Sequence, residues 1–388
     1  MAGKKGNPLY RVIYNQLKED IATHKYLPEE QLPTESELAQ MFQVSLITSK
    51  RALTELERDG FIHRTRGKGS FVNSPSVVQT YASQQRPLTN SEAIVSMILP
   101  SQGYGFSGYI QGAADYLNKC GYHLSVHIAD ESMSAAKQFL LNLQSQGIRT
   151  IIYYPQVHIH IWDILMSLHL NQNTVITIDQ YLQALPLSSV VSDNFQGGYL
   201  SASRLIELGH KRIAFISCSP IDEISTVRDR YMGYCTALKE HGLPIDSEIT
   251  MFDFVMEAAR GEERESFGRD VLKHLMDLRV TAIQAEHDVL ASQLLRSAME
   301  LGIQVPSQLS ILGFDNIELG AHLTVPLSTV EQDFYGIGRK AAELAVQSME
   351  SGTVPQDVRC VIPVKLIERG TTGEAPPRET TLHERDGG

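Results

Sequence analysis

Five groupings in this 388-residue chain are of residue types that do chemistry. His158-x-His160 and His123-x-x-x-His127 invite a zinc reading, but neither pair has a third ligand at conventional spacing. Glu262-Glu263 pairs two carboxylates, as acid–base catalysis requires, yet within a charged run from Arg260 to Arg269 that reads as a solvated face. The other two groupings suit binding. Ser45, Thr48, Ser49, Lys50 and Arg51 open a helical pattern, and Arg64, Arg66 and Lys68 surround two glycines. Polar tips and cations at that density suit a phosphate backbone and base edges. Arg230 offers a planar fork of donors to vicinal hydroxyls or to a phosphate. Asp315 follows an apolar strand run, where open α/β sheets hold their ligands. No HExxH, GxSxG, Walker A or strand-linked GxGxxG occurs, and Gly103-Tyr104-Gly105 is only a loop signal. The pattern implies a binding protein with no catalytic residue, metal or cofactor.

Those residues need elements to position them. From Pro8 to His24, Leu9, Val12, Ile13, Leu17 and Ile21 fall at helical spacing. Thr34-Glu35-Ser36-Glu37 has the form of a capping box and opens a second helix through Met41. Val44-Ser45 starts a third, with Ala52, Leu53 and Leu56 inward and Gly60 at its end. Leu38, Ala39, Phe42 and Val44 close a small core. Phe61 to Val72 reads as two strands around Arg66-Gly67-Lys68-Gly69, whose glycines permit a tight hairpin. This is a winged helix-turn-helix over residues 1–72. Its third helix presents Ser45, Leu46, Thr48, Ser49 and Arg51 to a major groove. Lys50, Arg64, Arg66 and Lys68 reach phosphates or the minor groove, and Glu35 accepts from a cytosine or orients an arginine.

Charge distribution agrees with this reading. Residues 1–75 hold 11 Lys and Arg against 9 Asp and Glu, and the remainder holds 23 against 36, within a net charge of -11. A mildly basic head on an acidic body meets a polyanion head first. Residues 73–90 are rich in Ser, Gln, Pro and Thr without a period, as expected of a linker. From residue 91 to 370, continuous apolar strand runs alternate with helical patterns that end at glycines such as Gly121 and Gly209. That is an α/β body of two doubly wound parallel-sheet subdomains with a cleft between them. Residues 371–388 read as a disordered tail. Four dispersed cysteines suggest buried thiols in a reducing compartment. The absence of a signal-peptide pattern and of any apolar run near 18 residues suggests a cytoplasmic protein away from membranes.

The head residues Leu32-Pro33-Thr34-Glu35-Ser36-Glu37-Leu38-Ala39, Val44-Ser45, Arg51-Ala52-Leu53 and Gly67-Lys68-Gly69-Ser70-Phe71-Val72 resemble the gluconate-operon-repressor (GntR) family of winged-helix heads. The resemblance departs at the start of the third helix. The family pattern Val-Ser-Arg-x-Thr-Val-Arg stands here as Val44-Ser45-Leu46-Ile47-Thr48-Ser49-Lys50. The arginine that usually reads the operator is Leu46, which can touch a thymine methyl but not hydrogen-bond a guanine.

In the body, Leu208-Gly209-His210-Lys211-Arg212, Asp229-Arg230-Tyr231-Met232-Gly233-Tyr234, Ser310 to Asn316 and Leu327 to Phe334 resemble the lactose/galactose-repressor (LacI/GalR) effector domain, built like periplasmic sugar-binding proteins. That resemblance implies that Asp288, Gln332 and Phe106 face the cleft beside Arg230 and Asp315. Phe106, with Tyr104 beside it, would stack on a sugar ring, and Asp193 lies near the crossover between subdomains. The family's Asn-Asp is His287-Asp288 here. A head of one family on a body of the other is similar to the arabinose-operon repressor group. It implies a homodimeric repressor of sugar-utilisation genes on double-stranded operator DNA, released by a sugar such as L-arabinose. A phosphorylated sugar, a purine or another metabolite as effector, or a ligand acting as co-repressor or activator signal, stays open. So does a transport-type binding protein, against which the head argues. The expected outcome for Lys50→Ala is weaker binding to all duplexes, with the slope of log K against log salt flattened by about one unit; titrations at several salt concentrations measure it.

Overall fold

The Thr34-x-x-Glu37 spacing closes as a reciprocal cap. Thr34 Oγ1 accepts from the Glu37 amide and Glu37 Oε2 accepts from the Thr34 amide at 2.7 Å, which fixes where the second helix starts. The computed structural model describes residues 9–22, 25–58, 61–65, 68–73, 93–101, 103–129, 133–156, 161–252 and 262–377. Arg66, His158, His160, the segment 74–92 and residues 378–388 lie outside them. The chain divides into two units, Met1–Thr89 and Asn90–Gly388.

In the first unit, α1 (Leu9–Ala22), α2 (Glu35–Met41) and α3 (Leu46–Arg58) pack above the hairpin β1 (Ile62–Thr65) and β2 (Gly69–Val72). Ile13, Leu17, Leu38, Ala52, Leu53, Leu56, Ile62 and Val72 are the core, with Phe42 and Val44 packed against it. Leu9 and Val12 stay exposed, because the buried stripe of α1 runs through Ile13 and Leu17. This is a winged helix-turn-helix.

The second unit holds two six-stranded sheets. The first lobe has β3 (Ile94–Pro100), β4 (His123–Ala129), β5 (Thr150–Tyr153), β6 (Thr174–Ile178) and β7 (Ser188–Ser192), with helices α4 (Phe106–Lys119), α5 (Met133–Ser145) and α6 (Trp162–Leu170). The second lobe has β8 (Ile213–Ile216), β9 (Thr250–Met251), β10 (Ala282–Ala285), β11 (Ser310–Asp315) and β12 (Ser328–Glu331). Its helices are α7 (Asn194–Glu207), α8 (Ser225–Glu240), α9 (Glu262–Asp277), α10 (Asp288–Glu300) and α11 (Glu318–Ala321). The chain then returns. Helix α12 (Phe334–Ser351) covers the first sheet, β13 (Arg359–Ile362) pairs parallel with β7, and β14 (Lys365–Ile367) pairs antiparallel with β12. Three crossovers therefore join the lobes, at Asp193, at Gln332-Asp333 and between β13 and β14. All other pairings in the two sheets are parallel.

Two expectations are corrected. The stretch from Thr371 to Pro377 is ordered against the second lobe. Thr371 is fully buried, accepts from the Ile311 amide at 2.8 Å and from the Ser328 amide at 2.9 Å, and Ala375 N donates to Leu208 O. Buried backbone donors at the strand starts need acceptors, and a polar segment without hydrophobic period supplies them. Nor are the cysteines buried: Cys120 is exposed and Cys218, Cys235 and Cys360 are half-buried, all as free thiols.

Close helix approach decides where the site residues stand. A Cβ on Gly198 of α7 would lie 2.0 Å from the Arg230 carbonyl oxygen on α8, and one on Gly338 of α12 would lie 2.1 Å from the Tyr109 carbonyl oxygen on α4. Backbone oxygens have no rotamer into which to retreat. Gly198→Ala is therefore expected to destabilise by about 2 kcal/mol or more, read as a fall of several degrees in thermal midpoint. An unchanged midpoint would show that α7 and α8 part freely.

Candidate functional site

On the head, α3 is anchored by the residues that also seemed able to face outward. Ser49 is 0% exposed, and its hydroxyl donates to the Glu35 carbonyl at 2.7 Å and the Leu46 carbonyl at 3.0 Å. It is a buried spacer between α2 and α3, so the expectation that it meets DNA is corrected. Ser45 Oγ lies 2.8 Å from Thr48 Oγ1 and accepts from the Thr48 amide, the geometry of an N-terminal cap. Glu35 is ion-paired with Arg64 through Oε1. The Arg51 guanidinium lies over the Tyr10 ring at 4.0 Å. Lys50 and Lys68 are exposed, and Leu46 stands exposed at the start of α3. Arg66 is outside the described residues.

In the body, strand ends of both lobes converge on one buried guanidinium. Arg230, 5% exposed, donates from Nε to Asn194 Oδ1 at 2.9 Å and from Nη1 to the Glu286 carbonyl oxygen. Its Nη2 lies 3.7 Å from Asp315 Oδ1, and its plane sits 3.6 Å over the Phe314 ring. Gln332, on the second crossover, donates from Nε2 to Asp315 Oδ1 at 2.6 Å and accepts from Ser192 Oγ at 2.5 Å. Arg230, Asp315 and Gln332 are thus brought together as expected.

The first lobe adds residues that sequence reasoning missed. Asp179 follows β6 and accepts from Tyr109 Oη at 3.2 Å and from the Tyr154 phenol. Tyr154 in turn meets Phe106 edge-on at 5.8 Å, and Tyr109 meets Phe334 at 5.2 Å. Phe106 therefore belongs to an aromatic wall, whereas Tyr104 stands exposed ahead of α4. The only signal for Asp179 was its place just after an apolar strand, which Asp315 shares.

One expected ligand contact, Asp288, is corrected. Asp288 is fully buried at the start of α10, accepting from the Ile317 amide at 2.9 Å and from Thr329 Oγ1 at 2.5 Å. It ties the loops after β10 and β11 together and has no face left for a ligand. Asp193 caps α7, accepting from the Gln196 amide at 3.0 Å. His287 likewise caps α10, its Nδ1 accepting from the Leu290 amide at 3.0 Å while Nε2 faces Glu286 at 3.1 Å.

Electrostatics set the character of the site. Burial raises the Asp179 carboxyl above the ordinary carboxylate range, outweighing Arg230 and the two phenols. Burial likewise pushes Asp315 up to about 6 against the opposing pull of Arg230 and His287. Both aspartates also have left-handed backbones, with φ 69° at Asp179 and 114° at Asp315, where side chains other than glycine are strained.

With this geometry established, likeness to known proteins can be read. Residues 9–72 match the gntR family of bacterial regulatory proteins, and residues 202–372 match the periplasmic binding protein-like domain. The chain thus joins a gntR-family regulatory helix-turn-helix domain to a periplasmic-binding-protein-like domain. Over 375 residues it is 29% identical to an arabinose metabolism transcriptional repressor of Geobacillus stearothermophilus, covering 96% of this chain and 99% of that one. Its fold is that of the transcription regulator CcpA of Lactococcus lactis (TM-score 0.63, 22% identity, 72% of this chain and 98% of that one). A LacI-family regulator from Enterococcus faecium with bound ribose also shares it (TM-score 0.59, 24% identity, 72% and 99%). Among the described residues no helix is long and apolar enough to cross a membrane.

The Asp315 carboxyl predicts a pH signature. Unfolded, it titrates near 3.8, so the folded state's higher proton affinity is a gain in stability fully present below that pH. As pH rises through about 6 that gain is lost, and a charge is left with little water. Relative to Asp315→Asn, in which the lost countercharge to Arg230 is a pH-independent offset, the wild-type thermal midpoint is expected to fall between pH 4 and pH 7.5. A constant difference at both pH values would mean that the carboxyl titrates normally.

Proposed function

We propose that this regulator is a homodimeric repressor of carbohydrate-utilisation genes, released from its operator when a neutral sugar fills the interlobe site, with L-arabinose the first candidate. The observation that carries this reading is the charge of the site. Two carboxylates and two phenols surround one guanidinium that is already engaged by Asn194 and the Glu286 carbonyl. A phosphate entering there faces two like charges, whereas a polyol offers hydroxyl donors to Asp179 and Asp315. The aromatic wall of Phe106, Tyr109, Tyr154 and Phe334 suits the apolar face of a sugar ring. The near full-length likeness to a repressor of arabinose metabolism supports a pentose.

The protein acts in the cytoplasm on double-stranded DNA, and its two-fold symmetry calls for a near-palindromic operator. A sugar that favours one arrangement of the lobes weakens DNA affinity through a coupling of about 1–3 kcal/mol, or roughly 5–150-fold. The test is a thermal-shift screen of neutral sugars, sugar phosphates and purines. A ligand at about 100 times its dissociation constant adds roughly 2.7 kcal/mol. L-arabinose is expected to raise the midpoint and to release bound duplex. Asp179→Asn and Arg230→Ala are expected to lose that response and still hold DNA. A shift with anions alone discards the sugar, and tighter duplex binding with sugar makes it a co-repressor.

A further inference from the structure

The outward face of α3 is apolar where a DNA-reading helix ordinarily carries hydrogen-bonding tips. Ala52, Leu53, Leu56 and Ser49 point into the core. At 100° per residue, the opposite face is centred on Ile47, with Lys50, Arg51 and Thr54 beside it and Leu46 on its flank. Ile47 is 80% exposed and Leu46 is 52% exposed. A single exposed aliphatic residue needs no explanation, but here two adjoin at the tip of the helix, with Lys50 three and four residues on.

The polar side chains around this pair are turned inward or to each other. Ser49 is buried against Glu35, Ser45 and Thr48 share a hydrogen bond, Thr54 Oγ1 donates to the Lys50 carbonyl, and Arg51 lies on Tyr10. In the major groove, thymine offers a methyl group to an apolar side chain, and no other base of unmodified DNA does. We propose that α3 reads its half-site through thymine methyl groups contacted by Leu46 and Ile47, with Lys50 held to the phosphates. The proposal rests on α3 being the helix that enters the major groove.

The experiment selects a preferred duplex for the full-length protein from a random-sequence pool, then replaces each thymine singly by uracil. That change removes the methyl and keeps every hydrogen-bonding group. At one or two positions per half-site, uracil is expected to weaken binding roughly fourfold, the worth of one buried methyl-sized group. Leu46→Ala and Ile47→Ala, both exposed enough to leave the core intact, are expected to bind the thymine and uracil duplexes equally at the position each one touches. Uracil tolerated at every position overturns the proposal, as does a thymine preference that survives in both variants. A pool that yields no preferred duplex overturns instead the reading of α3 as the DNA-reading helix, and this proposal with it.

Discussion

A guanidinium buried to the extent of Arg230 has to be met on every side, because an uncompensated charge away from water costs several kcal/mol. Much of the second unit follows from meeting it. Its edge needs acceptors, and Asn194 at the start of α7 and the Glu286 carbonyl after β10 supply them. Its face needs a π-system, which Phe314 provides from the penultimate position of β11. Its countercharge is Asp315, the next residue, turned toward it by a backbone that only a left-handed φ allows. For α7 to bring Asn194 this close, it must touch α8 backbone to backbone, and Gly198 permits that. One side chain thus fixes a helix pair, a strand end and a strained residue.

The same constraint gives the site its chemical character. Asp179 and Asp315 enter it from different lobes, both strained and both poorly solvated. Such acceptors favour a partner that brings hydroxyl hydrogens and replaces lost water, the demand a neutral polyol meets. The lobes also touch directly. Tyr181 of the first lobe donates to Asp229 on α8, accepts from Arg228 and receives the Arg359 guanidinium on its ring. With Gln332 bridging Ser192 and Asp315 at a crossover, the two sheets are linked by polar groups. Polar links of this kind exchange readily with ligand groups, in contrast to the apolar cores of the lobes.

Particular residues show how far the sequence could be read. The runs that became β3 to β8, β10 and β11 were legible because apolar residues, mostly Val, Ile and Leu, dominate them. β9, β12, β13 and β14 were not, being two to four residues long, with polar or charged members. Arg230, Asp315 and Gln332 were legible as a constellation. Asp288 shares their chemistry, but its oxygens close on the Ile317 amide and the Thr329 hydroxyl. Ser49 has the small polar side chain of a DNA contact, yet it is buried and its hydroxyl donates to the Glu35 carbonyl.

The sequence by itself therefore determined the two modules, the capped helices of the head, the parallel sheets and the residue types available for binding. These are consequences of period, capping and local spacing, which act over a few residues. The tertiary structure alone decided that Asp288 closes on its neighbours, that Asp179 approaches Asp315 from another lobe, and that Ile47 and Leu46 form the outward tip of α3. Those outcomes depend on contacts between residues far apart in the chain, or on which face of a helix its neighbours cover, and local pattern encodes neither.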